Sequence, residues 1–226
     1  MNNQFGKLSK LHLTTAYREG KTIVEDASFT APFKIMHPFY EKKDFMTVML
    51  LMASAGVMAG DRQEIDICVK ECSNVEFVSQ AYEKIHQMEG DCAKRHVHLT
   101  VSDHACLHYM PLPAIPFAGS DYRCTVDVEL ENETSQFVFS ENACYEPERM
   151  DMRSFGMYEG FTHLASLVIC NKPKSENWVL QVRKLLDESK DMEGGVTRTS
   201  VGYIVVRILG RNAHKLTEIT EKILTL

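Results

Sequence analysis

The sequence predicts a mainly β protein, with a layered sheet core of sandwich or helical type followed by two C-terminal α-helices. Three observations carry this. Short stretches between residues 11 and 139 alternate apolar and polar side chains, the period of a strand with one buried face. Clusters rich in Asp, Asn, Ser and Gly separate them. Past residue 174 the period lengthens twice to that of a helix. The 226 residues, 44% hydrophobic and 25% charged, suffice for one domain with its own core. It is read as a single unit over residues 1–226, with a β-rich core at 1–141 and an α+β part at 142–226.

Taken in order, residues 11–16 and 22–27 are strands joined by the turn Arg18-Glu19-Gly20. Residues 45–52 are nearly all apolar, which fits a strand buried on both faces. Gly60-Asp61 breaks the chain. Residues 64–72 resume alternation, with Ile65, Ile67 and Val69 on one face. Further strands are expected at 75–80, 95–101, 105–110, 123–130 and 135–139, at spacings usual in a β-sandwich or another layered β fold. No repeat with a fixed sequence signature is found. Residues 157–169 fit strand or helix, with strand favoured. Ser175 caps a helix striped by Trp178, Val179, Val182, Leu185 and Leu186, and Gly194-Gly195 reads as its stop. Residues 196–209 form a strand, and Asn212 caps a last helix with Leu216, Ile219, Ile223 and Leu224 on one side.

Composition excludes several functions. A net charge of −6 with no Lys/Arg run argues against nucleic-acid binding. The most apolar stretch, residues 46–58, is too short to span a bilayer, which needs roughly 20 residues. The polar first ten residues argue against a secretory leader. Seven dispersed cysteines without a C-x-x-C pair fit reduced thiols in a cytoplasmic protein.

Four clusters bear on chemistry. His96 and His98 share a strand face, and His104 and His108 follow on the next strand or its turn. If those strands pair, the four imidazoles approach one another and suit nickel, zinc or copper. Otherwise they are solvent-facing positions on a hairpin. The stretch from Ser54 to Arg62, with Gly60 before Asp61, matches neither a phosphate-cradling loop nor a nucleophile elbow. It fits a tight turn whose Asp61 satisfies backbone N–H groups. Ser79 and Gln80 close a strand with His86 nearby, but nothing supplies an oxyanion hole. Pro111-Leu112-Pro113-Ala114-Ile115-Pro116-Phe117 must be extended, either as a rigid connection or as a stiff edge for a partner. No complete enzyme constellation is present, so a non-enzyme is the leading reading; the alternative is a metal-binding β protein or metal-dependent enzyme built on His96, His98, His104 and His108.

In order, these clusters resemble one family. Gly60-Asp61 follows an apolar strand. Ser79-Gln80-Ala81 ends the next, with Lys84 three residues on. Pro111, Pro113, Pro116 and Phe117 follow, then Ser140-Glu141. Thr30-Ala31-Pro32-Phe33-Lys34 and Gly160-Phe161-Thr162-His163 fit as well. The sequence resembles the urease accessory proteins of the D type, called the H type in some bacteria, from about residue 11 to its C-terminus. The resemblance implies a non-enzymatic scaffold with a largely β fold and two late helices. Its implied partners are apo-urease and the F-type and GTPase G-type accessory proteins. No cofactor is tightly held, and nickel is cargo in transit along a water-filled internal path. Asp61, Ser79, Gln80 and Glu141 match positions that line such a path. Oxygen ligands hold nickel weakly enough to release it, where thiolates would retain it. The chain departs from the family after Glu141, where a Gly-rich stretch of a few dozen residues is missing before Pro147-Glu148-Arg149.

Overall fold

The computed structural model describes residues 8–42, 44–144, 158–172 and 174–226. The alternating stretches are strands, but they do not fold into a sandwich. They wind into a coil with three walls.

The first wall is a five-stranded sheet in the order β11-β8-β5-β1-β2, built from β1 (Leu8–Arg18), β2 (Lys21–Phe29), β5 (Arg62–Val69), β8 (Ala93–Val101) and β11 (Tyr122–Leu130). Within it β1, β5, β8 and β11 run parallel, and β2 returns antiparallel. The predicted turn makes that return. Glu19 and Gly20 both take positive φ, as a two-residue hairpin requires. The second wall places β4 (Met46–Met52), β6 (Asn74–Ser79), β9 (Cys106–Met110) and β12 (Gln136–Cys144) in parallel, with β3 (Phe33–Ile35) at its edge. The narrow third wall joins Val57, β7 (Glu83–Ile85), β10 (Ala114–Pro116) and the end of β12. From β4 to β12 the chain visits the walls in strict rotation.

Arg62 lies beside Lys94, and Lys94 beside Arg123, while Leu50 lies beside Ser79. A turn of the coil therefore takes 29 to 32 residues. The turn length repeats although no sequence signature does. What repeats is physical: apolar residues of one parity face inward and stack in rows. Leu11, Ile65, Val97 and Val126 form one row, and Leu13, Ile67, Leu99 and Val128 the next. Across the coil, Phe77, Tyr109 and Phe139 stack at centroid spacings of 5.4 and 6.1 Å. Most of these side chains are fully buried, each worth about 1.5–3 kcal/mol relative to exposure.

The Asp/Asn/Ser clusters are corners between walls. At one of them, His104 takes φ +50° and turns the chain out of the first wall into the second. The expected hairpin of β8 with β9 is thereby replaced: these strands lie in different sheets. The expectation that residues 45–52 are buried on both faces holds in part. Met46, Val48 and Leu50 face the core and Thr47 is buried opposite, but Met49, Leu51 and Met52 are half-exposed.

The second wall continues into the C-terminal part as an antiparallel meander, β12-β13-β15-β14, with β13 (His163–Cys170), β14 (Met192–Arg198) and β15 (Ile204–Gly210). Helices α1 (Glu176–Asp187) and α2 (Ala213–Thr225) bury Trp178, Val179, Val182, Leu186, Leu216, Ile219 and Ile223 against it. Both predicted caps are present: the Ser175 hydroxyl accepts from the Trp178 N–H, and the Asn212 carbonyl from those of His214 and Lys215. Two readings are corrected. Gly194-Gly195 is not the helix stop but part of β14, where a Cβ on Gly194 would lie 2.8 Å from the Arg207 carbonyl. The strand expected at 196–209 is a hairpin, broken at Gly202 with φ +86°.

Candidate functional site: a polar row inside the coil

The inner face of the first wall is apolar except in its first row and at Thr15, at the other end of β1. In that first row Ser9, Gln63, Arg95 and Cys124 are neighbours on β1, β5, β8 and β11. All occupy the inward parity of their strands, one step before the apolar rows. Opposite them stand Ser79 at the end of β6 and Glu141 on β12, with Glu83 on β7. Of these, Arg95, Cys124, Ser79, Glu83 and Glu141, together with Tyr109, Pro111 and Tyr122, line a cavity of about 60 Å³. By size it has room for a few water molecules.

Arg95 organises the row. Its guanidinium donates to both Glu83 oxygens, one at 2.7 Å, and its Nε donates to the Gln63 carbonyl at 2.8 Å. The Arg95 and Glu83 side chains are only 11% and 13% exposed. Burial lowers the Arg95 pKa, but the Glu83 carboxylate beside it outweighs that, so the guanidinium stays charged. The Tyr122 ring lies 5.8 Å below it. The Tyr122 hydroxyl is buried with no hydrogen-bond partner among the described residues. Burial pushes the Tyr122 and Tyr109 hydroxyls above their ordinary pKa values, and the Cys124 thiol, exposed on one side but desolvated by the cavity wall on the other, is raised as well, so all three remain protonated near neutrality. Glu141 is exposed on one side, yet the protein crowds its carboxyl. Desolvation raises its pKa, and Arg95 pulls it partly back. The row therefore offers carboxylate, hydroxyl and amide oxygens around one fixed cation, and no thiolate.

Two residues picked from the sequence, Ser79 and Glu141, meet at this cavity. Asp61 and Gln80 are not among the residues lining it. Asp61 holds its own turn, accepting from the Met58 N–H at 2.8 Å, while Gly60 takes φ +82°. Gln80 is exposed, and its N–H donates to the Leu50 carbonyl. The Lys84 side chain is exposed and its carbonyl accepts from Val57. The proline segment forms β10, parallel to β7, so it is one rung of the third wall. Pro111 lines the cavity, Pro113 is buried, Pro116 ends β10, and Phe117 is exposed beside the His86 ring.

The four histidines do not converge. His96 and His98 face outward on β8, and His104 sits at its corner. His108 is half-buried on β9 against Phe45, with its Nε2 enclosed, and desolvation, with help from Lys172 and Lys42, depresses its pKa to about 3. Sequence reasoning missed Gln63, Glu83, Arg95, Tyr122 and Cys124. The signal was available for two of them, since Gln63 and Arg95 precede Ile65 and Val97 by two residues and share their inward parity. Among the described residues, no helix is long and apolar enough to cross a membrane.

The chain matches the family model described as the UreD urease accessory protein over residues 7–142 and 132–226. The urease accessory protein UreD of Acetivibrio thermocellus is 33% identical over 258 aligned positions, covering 99% of this chain and 98% of the relative. UreH of Helicobacter pylori strain P12 is 30% identical, covering 98% and 95%. UreD of Flavobacterium johnsoniae is 24% identical, covering 96% and 91%. The two matched stretches overlap at β12, where the departure after Glu141 was expected; residues 145–157 beyond it lie outside the described residues. On the strength of that match across nearly its whole length, the chain belongs to the UreD urease accessory protein family.

Proposed function

We propose that this chain is a non-catalytic accessory in urease maturation. In this reading it assists the transfer of nickel to the apo-urease active site, within an assembly containing the F-type and GTPase G-type accessory proteins. Its place is the cytoplasm, which suits the six described cysteines, all free thiols.

The observation that carries the reading is the polar row. An apolar coil gains nothing in stability from a buried guanidinium with two carboxylates nearby, because desolvation opposes such pairs. A row of oxygen donors around water-sized space suits a hydrated divalent cation in passage. With Arg95 and Glu83 neutralising each other, Glu141 is the titratable group that sets the sign of the cluster. Arg95 disfavours a resident cation, so contact is brief. Ser79 and Glu141 serve on this route; Asp61 and Gln80 act through the turns that shape its walls.

The test is co-expression of urease with its accessory proteins, carrying Glu141→Gln or Glu83→Gln in this chain. Urease nickel content falls in both variants while pull-down of the assembly is unchanged. Full nickel loading in both would sink the proposal. Loss of the assembly by a variant chain that is still folded by circular dichroism would assign the residues to partner contact instead.

A further inference from the structure

The outer face of the first wall carries an unbroken path of imidazoles and carboxylates. In register across parallel strands stand His12 on β1, Asp66 on β5, His98 on β8 and Asp127 on β11. His96 lies two residues from His98 on the same face, with Glu64 as its neighbour on β5. Adjacent strands are about 4.8 Å apart and alternate residues about 6.7 Å, so all six side chains share one small area.

Each aspartate faces two histidines. Asp66 is in register with both His12 and His98, and its Oδ2 is 2.8 Å from His12 Nδ1. Asp127 is in register with His98, yet its Oδ2 reaches diagonally to His96 Nε2 at 2.7 Å. His98 makes a long contact to Thr100 at 3.4 Å. The imidazoles are thus engaged pairwise, and no group of three or more donors is preassembled among the described residues. All these side chains are solvent-accessible, so changing a rotamer requires no repacking of the core.

We propose that this face is a binding site for one divalent transition-metal ion that prefers imidazole, taken up by His96 and His98 with Asp66 and Asp127 as carboxylate ligands and His12 as an alternative imidazole. Nickel, copper and zinc suit such a donor set, whereas magnesium favours all-oxygen sites. Two imidazoles at i and i+2 on a strand point the same way and reach a common ion. The acids on each side neutralise its charge. The donors must leave their present pairs and the site is open to water, so binding is weak and exchange fast. The site lies outside the coil and does not depend on nickel passing through the polar row.

Titration of the purified full chain with nickel chloride tests it, alongside a His96→Ala/His98→Ala double variant and, as a control, Glu221→Gln on the exposed side of α2. The expected result is binding of one equivalent that weakens at least tenfold in the double variant and is unchanged by Glu221→Gln. Magnesium should not compete. Imidazole NMR signals of His96 and His98 should broaden first on adding substoichiometric nickel, which locates the ion even if the double variant misfolds. Unaltered nickel affinity in a folded double variant, or first broadening at histidines other than His12, His96 and His98, overturns the proposal. So does the absence of any nickel binding by the wild-type chain.

Discussion

Replacing Arg95 with methionine gives the sharpest test of how the polar row is held. The guanidinium is the cation beside Glu83, and both side chains are nearly buried. The substitution keeps most of the volume but strands the Glu83 carboxylate, and it removes the donor to Gln63. Breaking a buried pair from one side costs about 3–5 kcal/mol. For a chain of this size that is a fall of roughly 10 °C or more in Tm. The assay is urea unfolding of the purified chain, followed by circular dichroism. Arg95→Met combined with Glu83→Met should recover most of the loss, since replacing both charges by apolar groups is often neutral or stabilising. If Arg95→Met costs less than about 1 kcal/mol, or if the two losses simply add, the pair is not the buried unit described here.

Three further outcomes follow from the structure. His108 is held neutral by burial, with its pKa near 3 in the folded state, while the unfolded chain protonates it at its ordinary value of 6.5. The unfolded state thus binds the extra proton below that value, and stability should fall by roughly 1.4 kcal/mol per pH unit from about pH 6 towards 3. Urea midpoints measured across that range should lose this part of their slope in His108→Phe; identical slopes would refute it. Gly56→Ala should destabilise by about 2–3 kcal/mol, because φ is +144° and the added Cβ would lie 2.5 Å from the Lys84 carbonyl that anchors the third wall. Wild-type unfolding midpoints would show that this corner gives way easily. Cys106 and Cys170, with thiols pushed up to about 11 by burial, should resist iodoacetamide at pH 8 until the protein is unfolded, as mass spectrometry of labelled peptides can check.

Strand positions were legible because a buried face imposes a period of two wherever it occurs. Ile65, Ile67 and Val69 point inward as their alternation required. Partner choice was not legible, since alternation is the same in a sandwich and in a parallel coil. It is decided at corners such as Cys72 and His104, whose positive φ values are backbone facts that neither residue type announces. Helix ends were read correctly where a side chain makes the cap, at Ser175 and Asn212. Gly194-Gly195 was misread because a glycine that admits a close neighbouring strand has the same letter as one that ends a helix. In the polar row, Ser79 and Glu141 were found through family resemblance. Arg95 was overlooked because a charged residue opening a strand suggests a solvent-facing side chain, and only the register beside Gln63 reveals its inward parity.

The rotation of the chain through three walls has a mechanical consequence. Each turn rests on the turn before and the turn after, so stability is shared between nearest neighbours rather than spread over the whole molecule. Damage in one turn should travel along the axis and reach distant turns only through the intervening ones. The two ends are unequal in this respect. At one end β2 folds back over β1, whereas at the other the outer backbone edge of β11 has no strand partner among the described residues. Fraying should begin at that open edge, and hydrogen exchange should be fastest in β11 and slow progressively through β8 to β5.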